Sequence, residues 1–210
     1  LLSDNPTRLT RTDFSKKFTT TNTGTLYTTS ATEDGSTVYY FSGDAKNNWV
    51  VFGKYKSDLY YSTIKLASNG DKMCWRIIRT NTDREEKGLR LLYSGTYNSE
   101  NNTCGVNSTN GYIGMTTYNE KVNGSIYGAE YVGYMYGTGG NLTNNRKNTY
   151  NSTIKTFIDN WYLNNTNLSD NINKINKKAI YCNDRSIGED RGDGIIYFGV
   201  QTRLEKNKVP

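Results

Sequence analysis

The chain has 210 residues, no histidine, and 26 basic against 20 acidic side chains, for a net charge of +6. That length suits one domain, or one with a small annex. Without histidine the chain alone cannot build a Ser-His-Asp or Cys-His site and loses a usual zinc donor; its Lys and Arg are scattered rather than clustered, which argues against a specific nucleic-acid surface.

Hydrophobic residues make up 34% of the chain, and 18 residues are Tyr. A tyrosine buries its ring while its hydroxyl stays hydrogen-bonded, so a Tyr-rich chain can build a sheet core with few aliphatic residues. No apolar run approaches the roughly 20 residues that span a bilayer, so no transmembrane segment is expected in this chain. Leu1-Leu2-Ser3 lacks an initiating Met. We read it as the start of a processed or truncated chain whose export signal lay upstream.

In chain order, Leu1–Ser30 is Thr-rich and weakly patterned and is expected to be an extended arm holding one or two short strands, ahead of a single domain over 31–210. Thr37–Gly43 (TVYYFSG) and Asn47–Tyr55 (NNWVVFGKY) are β-branched and aromatic and predict two strands. Leu59–Ser68 predicts a third, closed by the Asn69-Gly70 turn. Cys74–Arg79 and Leu89–Tyr93 form a hairpin around a charged turn, and it is placed at the centre of the sheet. There Trp75 and Ile77 share one face and Arg76 and Ile78 the other; Asp83, Glu85 and Glu86 of the turn can neutralise Arg79 and Arg90. Residues 97–148 are rich in Gly and Asn, with Tyr131–Gly137 (YVGYMYG) a short buried strand or tight loop.

Asn151–Asn165 is the best helix: Ile154, Phe157, Ile158 and Trp161 recur at helical spacing, Asn151 or Ser152 can cap it, and Lys155 and Asp159 lie one turn apart. Leu168–Arg185 has room for a second short helix leading into a strand at Ala179–Cys182, and Gly194–Leu204 predicts a last strand. The expected fold is therefore α+β and sheet-dominated: an antiparallel β-meander with one main amphipathic helix.

Three cysteines, Cys74, Cys104 and Cys182, form no CxxC pair. Two readings stand: a Cys74–Cys104 disulfide that leaves Cys182 over, or three reduced, buried thiols. The loop GEDRGDG places Glu189, Asp190 and Asp193 where their oxygens could take Ca²⁺, although the spacing is not that of a DxDxDG loop. Its Arg191-Gly192-Asp193 also matches an integrin-read tripeptide, against the simpler reading of a charged exposed turn. Sequons at Asn101, Asn107, Asn123, Asn141, Asn151, Asn164 and Asn167 mark exposure more safely than glycosylation in so Asn-rich a chain.

Taken together and in order, YYFSGDAKNNWVVFG (Tyr39–Gly53), CWRIIRTN (Cys74–Asn81), LRLLYSGT (Leu89–Thr96), YVGYMYG (Tyr131–Gly137), STIKTFIDNWY (Ser152–Tyr162) and YCNDR (Tyr181–Arg185) resemble an uncharacterised family of secreted or surface proteins of low-GC Gram-positive and mollicute-like bacteria. The resemblance implies an exported, envelope-associated protein. It also implies that the chain continues past Pro210, into a segment resembling C-type-lectin-like domains, with a further cysteine that could partner Cys182. This sequence departs from the family at Cys74, a position usually aromatic, and Tyr55–Met73 is a stretch of variable length. No catalytic residues come with the resemblance.

The expected function is an extracellular, non-enzymatic module of a bacterial cell-surface protein, serving adhesion or recognition of a glycan or protein partner, with no cofactor beyond the calcium option. Tyr112, Tyr118, Tyr127 and Tyr136 are the candidate ligand contacts, since tyrosine rings offer flat area at low entropy cost. The alternative is a structural subunit of an extracellular filament or surface layer that assembles when the Leu1–Ser30 arm adds a strand to a neighbour.

Overall fold

The computed structural model describes residues 1–13, 25–30, 35–42, 47–81, 88–104, 111–116 and 149–176. The chain divides into two units, Leu1–Ile113 with Asn165–Ala179, and Gly114–Asn164 with Ile180–Pro210. The first holds the strands β1 (Arg8–Thr10), β2 (Thr25–Thr29), β3 (Val38–Ser42), β4 (Trp49–Lys54), β5 (Leu59–Tyr61), β6 (Ile64–Ala67), β7 (Lys72–Asn81), β8 (Gly88–Asn98) and β9 (Thr103–Cys104). The protein is α+β and sheet-dominated, as its residue pattern predicts.

β7 is the centre of the seven-stranded sheet. One of its edges pairs along its length with β8, from Met73↔Thr96 to Asn81↔Gly88. The other edge is shared: β4 takes Lys72–Arg76 and β3 takes Arg79. This sharing is where the fold leaves a simple meander, because β4 does not pair with β3. The sheet also departs from the purely antiparallel expectation, since β1 joins β2 in parallel. Among the described residues of the Leu1–Ser30 stretch, β1 and β2 are thereby hydrogen-bonded into the sheet of their own chain, β2 through a five-residue register with β3.

Alternation along β7 sets the two faces. Met73 and Ile77 are buried on one side, with Trp75 between them, and Lys72 and Arg76 alternate onto the other; Ile78, at an irregularity of the β7–β8 ladder, is exposed. Leu26, Tyr27, Val38, Tyr55, Leu59, Ala67 and Leu168 are buried too. The stretch Leu59–Ser68, expected as one strand, is instead the hairpin β5–β6, because Ser62 takes a left-handed φ of 55° and the chain reverses there.

Cys74 of β7 and Cys104 of β9 are joined by a disulfide, with their Cα atoms 5.7 Å apart. β9 pairs with β8 at Tyr97↔Cys104, so the bond reaches across β8 to the central strand. Of the two readings of these cysteines, the structure has the bonded one; Cys182 lies outside the described residues.

A second tie comes from far along the chain. Asn165–Leu168 lies against the end of β4. The Lys54 N–H donates to Asn167 Oδ1 (2.7 Å), the Asn167 N–H to the Lys54 carbonyl (2.9 Å) and the Lys56 N–H to the Asn165 carbonyl (2.8 Å). Thr166 bridges Tyr55 in antiparallel fashion, and Lys56 pairs with Asp170 at 3.0 Å. Leu168 closes over Gly53, where φ is +82° and an added Cβ would stand 2.6 Å from Leu168 Cδ2. A short 3₁₀ helix, Ser169–Lys174, follows and is the second short helix.

The described part of the other unit covers residues 114–116 and 149–164. Its helix α1 (Thr153–Asn160) is capped by Ser152, whose Oγ accepts the Lys155 N–H at 3.2 Å. Lys155 and Asp159 form an ion pair one turn apart. The regular helix is shorter than the predicted span, since Trp161–Asn165 continues as a π turn. Trp161 is buried, but Ile158 of the predicted apolar stripe is 44% exposed. Phe157 presses on Gly114, whose φ of +143° and missing Cβ make room for the ring. The expected strands at Tyr131–Gly137, Ala179–Cys182 and Gly194–Leu204, and the acids Asp83, Glu85 and Glu86, lie outside the described residues.

Two stability outcomes follow. Opening the Cys74–Cys104 bond releases a loop with a sequence separation of 30; the double Cys→Ala variant is expected to lose about 3–4 kcal/mol in urea unfolding. Gly53→Ala forces a Cβ into a left-handed position against Leu168 and is expected to cost about 1–2 kcal/mol, read from the same unfolding curves.

Candidate functional site

Of the tyrosines singled out in the sequence, Tyr112 falls among the described residues, and its ring lies on that of Tyr61, with centroids 4.7 Å apart and planes 19° from parallel. Tyr61 ends β5 and faces Ile64 across the hairpin turn. Tyr112 is 40% exposed and Ile64 57%, so this face of the hairpin offers a stacked aromatic pair with an aliphatic flank. Tyr60 points the opposite way by alternation, is 51% exposed, and faces Lys65.

The Tyr60 face is ionic. Lys65 Nζ stands 2.7 Å from Asp58 Oδ2 and 6.0 Å from the Tyr60 ring centroid. Asp58 also accepts the Asn69 N–H at 2.9 Å. Lys65 and that N–H hold the Asp58 carboxyl below its usual range, and Asp58 in turn holds Lys65 above its own. The hairpin thus carries a neutral aromatic face and a charged aromatic face back to back.

A hydroxyl chain fastens this hairpin to the sheet. Thr96 Oγ1 of β8 donates to the Leu66 carbonyl of β6 at 3.1 Å and lies 3.2 Å from the Tyr55 hydroxyl. The Tyr55 hydroxyl is itself bonded to that of Tyr93. Leu66 can only accept, so the Thr96 proton turns toward it and Thr96 Oγ1 is left to accept from Tyr55. Tyr93 packs edge-on against Trp75 at 5.5 Å, and the Trp75 indole N–H donates to the Phe52 carbonyl at 2.6 Å. Burial pushes both phenols above the ordinary tyrosine value. Tyr93 is pushed furthest, because a charge there would also face the Tyr55 oxygen.

Tyr118, Tyr127, Tyr136, Glu189, Asp190 and Asp193 lie outside the described residues. Among the described residues no group of three or more His, Cys, Asp or Glu is placed to hold a metal ion, and no helix is long and apolar enough to cross a membrane. Tyr60, Tyr61 and Ile64 were not singled out from the sequence. The signal was there: Ser62-Thr63 interrupts the apolar alternation with two polar residues, where a hairpin turn sits.

Comparison with family models, with curated proteins and with solved structures finds no match to this chain.

The raised phenol pKa values make stability depend on alkaline pH. Both groups stay protonated in the folded chain beyond the point, about pH 10, at which an unfolded tyrosine ionises. Their contribution is complete below that pH and is lost as pH rises past it. Tyr55→Phe with Tyr93→Phe is expected to cost about 1–2 kcal/mol at neutral pH. The pair should also flatten the fall in stability above about pH 10, measured by urea unfolding across the alkaline range.

Proposed function

We propose that the chain is an exported, non-enzymatic recognition module of a bacterial surface protein, and that it touches a glycan or protein partner through exposed tyrosine rings. The observation that carries the reading is the Tyr61–Tyr112 pair: two near-parallel rings, partly open to solvent, with Tyr61 on a hairpin fastened to the sheet by the Thr96 and Tyr55 hydroxyls and Tyr112 stacked on it. Rings already held in place lose little entropy when a flat sugar face or a peptide lies on them. Export is supported by the Cys74–Cys104 disulfide, since such bonds persist in oxidising compartments. The resemblance of the motifs between Tyr39 and Arg185 to secreted and surface proteins points the same way.

The alternative of a filament subunit has a narrower route than the sequence suggests. β2 is already paired with β3 of its own chain, so assembly through the arm would run along β1.

The test is binding of the labelled chain to a glycan array and to host-cell surfaces. Tyr112→Ala is expected to weaken the strongest binder about five- to thirtyfold, and Tyr112→Phe to leave it within about twofold, as a ring contact worth about 1–2 kcal/mol requires. Blank arrays and blank cells at high protein concentration would remove the reading.

A further inference from the structure

The other face of the main sheet carries a second cluster, and we infer that it is a binding site for an acidic sugar, a pyranose ring bearing a carboxylate. Along β7, Lys72, Cys74 and Arg76 point away from buried Met73 and Ile77. The register places Trp49 of β4 directly opposite Arg76, with Leu92 of β8 on its other side, so the three side chains form one row. Lys54 stands opposite Lys72 in the same way. Tyr97, opposite Cys104, projects on this face beside them. Its ring lies 6.3 Å from that of Trp49 and 5.6 Å from Lys72 Nζ.

Two features point to an anion. Lys54 and Lys72 face each other across the ladder, an arrangement that costs stability. Neither lysine, nor Arg76, has an ion pair with a carboxylate among the described residues. Arg76 is instead steadied by a neutral acceptor: it donates to Asn48 Oδ1 at 2.8 Å, and buried Asn48 in turn bonds the Ile77 carbonyl at 3.5 Å. A guanidinium held by a neutral amide keeps its charge for a ligand, with the rest of its donor fork to spend.

The rings supply the other half of the match. Trp49 and Tyr97 are half-buried and tilted 44° to each other, so they are not a closed stack. The apolar face of a pyranose can lie against these rings while its carboxylate reaches the cations. Leu92, 60% exposed, extends the apolar rim at the end of the Arg76 row. The Cys74–Cys104 bond lies on this face as well and fixes β9, and Tyr97 paired with it, against β7. This site shares no residue with the hairpin platform, so either can fail without the other.

The test uses the full chain and isothermal titration calorimetry with a hyaluronan hexasaccharide, which carries glucuronate, and with the same oligosaccharide after carboxyl reduction. The expected result is saturable binding of the acid form, a loss of tenfold or more on carboxyl reduction, and weakening as salt rises. Lys72→Gln and Lys54→Gln should each weaken binding several-fold without lowering the melting temperature, since each relieves the like-charge pair, and Tyr112→Ala should leave binding unchanged. A sialylated trisaccharide in the same assay separates the two common sources of a sugar carboxylate; binding of either supports the site. Absence of binding to both acidic sugars, equal binding of the reduced form, indifference to both lysine variants, or tighter binding of a single-stranded oligonucleotide would overturn the inference.

Discussion

The fold depends on β7 having both of its backbone edges occupied. An interior strand of ten residues gives its N–H and C=O groups to β8 on one side and to β4 and β3 on the other, so few of its polar groups need water. The core, the cationic row and the disulfide are positioned from it. Its inward residues, Met73 and Ile77, make the core; its outward ones, Lys72 and Arg76, make the cationic row; and its Cys74 anchors the only disulfide of the described residues. A sheet with so little aliphatic material needs such a hub, because tyrosines contribute burial only where a strand arrangement also satisfies their hydroxyls.

The hydroxyls are satisfied by distant segments. Tyr55 sits at the end of β4 with Thr166 across from it, Tyr93 and Thr96 come from β8, and Leu66 from the hairpin. The network and the Asn165–Leu168 tie therefore fasten the same corner. That convergence explains why the hairpin, itself only two short strands and marginal alone, can carry exposed rings in a fixed arrangement. It also explains Gly53, whose left-handed turn lets β4 bend toward Leu168 without a side chain in the way.

How much of this was legible in the residues depends on sequence distance. The strands Val38–Ser42, Trp49–Lys54 and the β7–β8 ladder are written locally in β-branched and aromatic runs. The Ser152 cap and the Lys155–Asp159 pair are legible for the same reason, since both are read within one helical turn. The sharing of one β7 edge by two strands is not local, and neither is the docking of Asn167 against Lys54 across 113 positions; no periodicity encodes either. Of the two proposed surfaces, the rich supply of tyrosine is visible in the residues, but the pairing of Tyr112 with Tyr61 and of Tyr97 with Trp49 is made by the tertiary fold. The two-residue strand β9 was hidden in a Gly- and Asn-rich stretch because two residues carry no pattern.

Both proposed surfaces stand on this frame, one on a hairpin fastened to the sheet, the other on the sheet itself. The most direct measurement of the frame is native-state hydrogen exchange resolved along the chain. The account requires the amides of Cys74, Trp75 and Ile77 to be among the slowest and to exchange only through global unfolding, with the β5–β6 hairpin exchanging earlier through local opening. Exchange of those β7 amides as fast as the hairpin's would contradict it.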